Sequence, residues 1–296
     1  MTMKPMTLVA ILSCVGRAQA LGVLDSGLSQ VYGSNKYVAT SGFVTIGQEE
    51  GFYFEPSFSS YHSADTPATD TYSGRLGYDS GWLNLGLEGA ATPKVNNYRS
   101  YSVGGDVTFS PSLGGEDSPS SGSASEDRPR KGLARVDIGA GATFTNHFEN
   151  LPRLGPLRPA RIQRTGQTDL SLSGGAKVLF LDLSGQYVRS FYDRGIPSRP
   201  RAALRAQARG ANPAVFGFPD MSANAKLTLS ILPLISPFLG FAYTQYKVDQ
   251  PAARSYRAGA SISAKLVSVT AYYELYDAGG GSPKQSYYSL GGTLKF

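Results

Sequence analysis

Alternation is the feature that most limits what this chain can become. Residues 284–296 run Lys-Gln-Ser-Tyr-Tyr-Ser-Leu-Gly-Gly-Thr-Leu-Lys-Phe. Phe296, Leu294, Gly292, Leu290 and Tyr288 share one parity, while Lys295, Thr293, Gly291, Ser289 and Tyr287 share the other. A strand projects successive side chains to opposite faces. One face of this segment is therefore apolar, aromatic or small, and the other is mostly polar. A strand with lipid on one side and water on the other has this pattern.

The pattern recurs along the chain. Phe52, Phe54 and Phe58 alternate with Tyr53, Glu55, Ser57 and Ser59. Residues 72–78 place Gly74 and Leu76 outward and Arg75 inward. Leu83, Leu85 and Leu87 alternate with Asn84, Gly86 and Glu88, and Val103, Val107 and Phe109 with Gly104, Asp106 and Thr108. Further runs follow near residues 134–144, 169–178, 181–187, 222–231, 239–244, 255–265 and 267–275. With the last segment they make twelve strands of roughly ten residues, the length that crosses a tilted bilayer. Residues 22–47 are ambiguous. Val38, Thr40, Gly42, Val44 and Ile46 fit a strand, but Ser26 and Gln30 fall on the apolar face of the segment before it. A first hairpin there makes fourteen strands; otherwise residues 21–50 form a periplasmic or luminal segment.

The ending Tyr288…Gly291-x-x-Leu294-x-Phe296 resembles the terminal signal by which Gram-negative outer-membrane β-barrels are recognised for assembly. The resemblance covers one strand. It implies a porin-like transmembrane up-and-down β-barrel (residues 51–296), an outer-membrane location, and the barrel assembly machinery and lipopolysaccharide as partners. A soluble β-sandwich also alternates, but its outer face should be the polar one.

Composition agrees. The chain has 35 Gly, 18 Tyr and 14 Phe with 17% charged residues, which suits many strands joined by turns. No apolar run of about 18 residues follows the N-terminus, so a spanning helix is not expected. Residues 1–20 read as a secretory signal peptide: Lys4 opens it, residues 7–16 are apolar, and Ala18-Gln19-Ala20 is a cleavage site. Cys14, the one cysteine, lies inside it, so the mature chain is expected to have no thiol chemistry. The net charge of +6 falls to +4 without Lys4 and Arg17.

Parity sets the expected topology. Short turns near 48–51, 79–81, 179–181, 232–236 and 265–266 join the chain end on the periplasmic side. Longer connections at 61–70, 92–98, 146–167, 190–221, 247–254 and 277–284 are extracellular. Residues 111–131, rich in Gly, Ser, Pro and acids, read as a flexible periplasmic linker.

Chemistry-bearing constellations are sparse. Outer-membrane phospholipases carry a His-x-Ser pattern on one strand, which neither His62-Ser63 nor His147 provides. His62 and His147 read as loop-edge residues, and an enzyme is not expected. No His/Cys cluster suggests a metal, and no phosphate loop stands between a strand and a helix, so no cofactor is expected. Two connections are basic. Residues 189–220 hold Arg189, Arg194, Arg199, Arg201, Arg205 and Arg209 against Asp193 and Asp220, a net of +4. Residues 147–167 hold Arg153, Arg158, Arg161 and Arg164 against Glu149, a net of +3. Arg201, Arg205 and Arg209 recur at helical spacing and share a face. They fold inward as an anion filter, hold lipopolysaccharide phosphates, or stay solvated. Without interleaved aromatics they do not suggest nucleic acid.

Inward charges are expected at Arg75, Arg135, Lys177, Lys226, Arg257 and Lys265 against Glu55, Asp79, Glu88, Asp106, Asp137, Asp169, Asp182 and Glu274. Arg75, Arg135 and Arg257 join the loop arginines as selectivity candidates. The expected function is passive passage of small hydrophilic solutes, with an anion bias. The alternative is a non-transport barrel anchoring a secretion, export or motility assembly through a periplasmic partner of residues 111–131.

Overall fold

The computed structural model describes residues 22–48, 50–64, 66–95, 98–113, 134–151, 161–193, 218–231, 234–247 and 251–296. The signal peptide expected at 1–20 and most of the 111–131 segment lie outside these residues. The elements are β1 (Val23–Gly33), β2 (Tyr37–Gly47), β3 (Gly51–Ser63), β4 (Thr66–Asp79), β5 (Leu83–Val95), β6 (Tyr98–Phe109), the two-residue β7 (Ser112–Leu113), β8 (Ala134–Leu151), β9 (Arg161–Val178), β10 (Leu181–Tyr192), β11 (Pro219–Leu229), β12 (Ile235–Tyr246), β13 (Ala253–Ala264), β14 (Val267–Asp277) and β15 (Gln285–Lys295). Every long strand pairs antiparallel with its sequence neighbours. β6 pairs with β8, and β1 with β15, which closes the ring. The molecule is an up-and-down barrel of fourteen long strands, with β7 a short addition beside β8.

Fourteen strands correct the main expectation of twelve. The two extra strands are β1 and β2. Asn35 and Lys36 both take left-handed φ values (59° and 53°), and the Tyr37 amide donates to the Ser34 carbonyl at 3.2 Å. Two consecutive left-handed residues make the tight turn whose twist suits a hairpin. Ser26 does share the outer face of Leu28 and Tyr32, but it is 8% exposed, opposite Val44 and Leu294. Gln30 accepts a 2.7 Å hydrogen bond from the Tyr32 hydroxyl. Neighbours thus shield both polar residues that spoil the pattern.

Alternation elsewhere is realised as outside and inside. On β5, Leu85 and Leu87 stand out at 43% and 66% exposure, while Gly86 between them is buried. Phe52, Leu76, Val103, Ile138, Leu172, Leu239, Tyr256 and Leu290 are likewise exposed. Glu55, Arg75, Asp137 and Glu274 are buried on the opposite face. Water would make this arrangement unstable; a hydrocarbon surround reverses the sign of the burial term.

Turns between β2 and β3, β4 and β5, β9 and β10, and β13 and β14 lie at one end with Gly22 and Phe296, here the terminal end. The opposite, loop end corrects several expectations. β3 and β4 run to Ser63 and from Thr66, and β5 and β6 to Val95 and from Tyr98, so the connections at 61–70 and 92–98 shrink to a few residues. β8 and β9 are 18 residues each and stay paired from Ala134↔Val178 to Leu151↔Arg161, which turns much of the expected 146–167 loop into strand.

Candidate pore lining

Inward parity brings the charged residues of neighbouring strands onto one concave wall. Arg75 on β4 has Glu55 and Glu88 as direct cross-strand neighbours. Its guanidinium instead spans β5 and grips Asp106 on β6 through two bonds, Nη1 to Oδ1 at 2.5 Å and Nη2 to Oδ2 at 2.7 Å. Gly86 opens that path, since a Cβ there would sit 2.1 Å from Arg75 Nη2. Arg75 Nε also donates to the Tyr53 hydroxyl at 3.1 Å, and Nη2 to Asn84 Oδ1 at 3.2 Å. Asn84 in turn donates to Asp79 at 3.1 Å. The Tyr53 ring occupies the space a side chain at Gly77 would need. Glycine on one strand thus admits a large polar group from the next.

The other arginines of the wall are paired as well. Arg135 Nε lies 2.8 Å from Asp137 Oδ1. Arg257 Nε lies 3.2 Å from Glu274 Oε2, and Ser255 donates to the same carboxylate. The three wall arginines expected as selectivity groups therefore each meet a carboxylate, and their fields largely cancel at a distance. Lys265, expected to point inward, lies exposed in the β13–β14 turn. Between β1, β2 and β3, the Thr45 hydroxyl lies 2.8 Å from Glu55 Oε2 and 3.3 Å from Asp25 Oδ1, with all three residues buried.

A second arc is cationic and aromatic. Lys226 Nζ sits 4.5 Å from the Phe238 ring centroid. The Phe238 and Tyr272 rings are 6.2 Å apart, and Arg257 lies 5.8 Å from the Tyr272 ring. Gly259 makes room, because a Cβ there would clash with Tyr272 and Phe238. Cations over ring faces are held electrostatically while keeping their charge.

Towards the loop end the wall becomes aromatic. Tyr37, Tyr61, Tyr276 and Tyr287 pack around the β1–β15 seam, with Tyr37 and Tyr287 edge to face at 5.3 Å. Seven strands away round the ring, Tyr98, Tyr192 and Phe218 form a second cluster, with Tyr192 and Phe218 at 5.5 Å. The two clusters occupy opposite arcs of the inner wall. Sequence reasoning missed the first of them by counting Tyr287 with the polar set. The available signal was tyrosine on a polar face beside glycine on the next strand, as in Tyr287 over Gly33.

His147 belongs to the second cluster and is 3% exposed, which corrects its reading as a water-facing loop residue. The Gln167 amide donates to both oxygens of Asp169 at 2.8 and 3.0 Å. Gln167 Oε1 must then accept from His147 Nε2–H at 3.0 Å, and His147 Nδ1 accepts from the Tyr98 hydroxyl at 2.7 Å. The ring is neutral in this arrangement. This part of β8 lies beyond the apolar outer residues Val136, Ile138 and Phe144, above the spanning portion. Burial there pushes the His147 pKa down to about 4.

His62 lies exposed near the end of β3, on a different strand from His147, so the two histidines are not brought together. Among the described residues, no group of three or more His, Cys, Asp or Glu is placed to hold a metal. Arg201, Arg205 and Arg209 lie outside the described residues. In the C-terminal motif, Tyr288 and Leu294 point outward, Phe296 follows β15, and Gly291 faces inward against Ser29.

The sequence matches no protein-family model and no curated protein. Solved structures with a similar backbone include CdiB from Acinetobacter baumannii, at 10% identity and a TM-score of 0.49 over 92% of this chain and 60% of that one. Another is the CymD monoaromatic hydrocarbon channel, at 11% identity and 0.48 over 97% and 92%. A third is the KdgM porin in complex with disordered oligogalacturonate, at 9% and 0.44 over 92% and 99%. The chain spans about three fifths of CdiB. At these identities and scores the similarity assigns no function.

Proposed function

We propose that this chain is an outer-membrane, porin-like channel for small hydrophilic solutes. The carrying observation is the division of the wall: exposed Leu, Val, Ile, Phe and Tyr outside, and Arg, Lys, Asp, Glu, Ser and Thr inside, on the same strands. Eight strands leave a filled interior and sixteen an aqueous channel. Fourteen strands with inward-reaching Arg75, Tyr53 and Tyr287 favour a narrow passage. The paired wall arginines favour weak charge selectivity in the described barrel. The anion bias is therefore assigned to Arg201, Arg205 and Arg209. We take the loop end as the extracellular one, the usual barrel orientation.

Planar-bilayer recording tests this reading. Refolded protein is expected to give stepwise single-channel currents, with a reversal potential that moves toward cations when Arg201, Arg205 and Arg209 are all changed to Ser. Unchanged selectivity removes the loop from the filter. Absent currents, with an envelope protein whose co-purification is lost on deleting residues 115–130, would replace the channel by an anchor.

A further inference from the structure

The outer wall carries one rung that neither the lipid band nor the pore explains. Arg99 on β6, Phe148 on β8 and Arg164 on β9 are direct lateral neighbours, in the register Arg99↔Phe148↔Arg164. The Phe148 ring meets the outward Tyr101 ring edge to face at 6.2 Å, which sets the rung on the outside. Arg99 lies 5.0 Å and Arg164 5.9 Å from the Phe148 centroid, so two guanidiniums flank one ring. Arg164 Nε donates to Asn146 at 2.9 Å, which fixes its direction. Both arginines are exposed.

Height and charge identify what such a rung meets. It stands ten residues along β8 from Ile138, opposite Phe109. At about 3.4 Å per residue and a tilt near 40°, that is about 25 Å, the height of a barrel's apolar band. The rung therefore lies level with headgroups. Two other outer cations near the loop end have acids beside them: Arg189 contacts Asp220 at 3.1 Å, and Arg254 is registered opposite Asp277. No ion pair of Arg99 or Arg164 is found among the described residues. Two arginines beside one aromatic ring, without an ion pair among the described residues, offer the forked donors that bind phosphate oxygens.

We infer that Arg99, Phe148 and Arg164 form a docking site for a phosphorylated glycolipid headgroup of the outer leaflet, of the bisphosphorylated lipid A type. This rests on the proposed orientation only for which leaflet supplies the lipid; the site itself does not depend on conduction. Phosphate oxygens accept from the two guanidiniums, and acyl chains run down the outer face past the exposed Tyr101, Phe144 and Val103.

Native mass spectrometry of the refolded barrel in detergent, titrated with bisphosphorylated lipid A, tests the site. The R99S/R164S double variant should bind at least about tenfold more weakly, since each charge-assisted bond lost is worth that order. R99K/R164K, which keeps charge without the fork, should fall between and guards against misfolding of the first variant. Arg189→Ser should leave binding unchanged. Equal binding by R99S/R164S, or equal binding of dephosphorylated lipid A to the native protein, overturns the site. Competition by millimolar inorganic phosphate alone to the same extent as lipid A would make it a free-phosphate site and overturn the lipid assignment. Loss of lipid binding with conductance intact supports the site and leaves the channel reading standing. Absent conductance with lipid binding intact removes the channel reading and keeps the site.

Discussion

Replacing Arg75 by Ala tests whether the inner wall is held by directed charge pairs. The change removes both donors to Asp106 and the donors to Tyr53 and Asn84, and empties the space above Gly86. A hydrogen bond to a charged group contributes roughly 1.5–3 kcal/mol, and stranding one member of a fully buried pair costs about 3–5 kcal/mol. Asp106 keeps 22% of its side chain exposed to the lumen, so water replaces part of what is lost. The expected destabilisation is about 1.5–3 kcal/mol. Urea unfolding of the barrel refolded into lipid vesicles reads it, with Trp82, the one tryptophan, as reporter against Phe109 at 5.6 Å. A double-mutant cycle with Asp106→Asn should return a coupling of about 1–3 kcal/mol. A loss below about 0.5 kcal/mol with no coupling would show that the lumen solvates these groups independently and that the pairing has no mechanical role.

Two further outcomes follow from the same geometry. Leu87→Arg places a charge near mid-height on the outer face and should cost about 2–4 kcal/mol in vesicles, whereas Ser102→Arg, facing the lumen, should cost well under half as much; equal costs would mean the faces are misassigned. Stability should fall as pH drops from about 6.5 toward 4, because the folded chain holds His147 neutral with a pKa pushed down to about 4, while the unfolded chain takes up the proton earlier. His147→Gln should flatten that slope, and a slope unaltered by the substitution would place its origin elsewhere.

The strand faces were legible because one physical period governs them. Leu83, Leu85 and Leu87 announce an outward row wherever the ring closes. The first hairpin was harder to read, since Ser26 and Gln30 break the row and only their neighbours Val44, Leu294 and Tyr32 show why that is tolerated. The upper halves of β8 and β9 were hidden for a different reason. Asn146, Phe148 and Asn150 face outward near and beyond headgroup level, where alternation loses its polarity, and the stabilising contacts run inward through His147 and Gln167. Pairing on the wall was not legible either. Register offers Arg75 two adjacent glutamates, yet it reaches past both to Asp106 because Gly86 leaves the way open.

Nitroxide labels placed singly by cysteine at residues 83–92 of β5, after Cys14→Ser, would report which solvent each position meets. In lipid vesicles, collision with oxygen should peak at 83, 85, 87, 89 and 91, and collision with a water-soluble nickel chelate at 84, 86, 88, 90 and 92, half a period out of phase. In-phase profiles, or no period of two, would contradict a wall with lipid outside and water within.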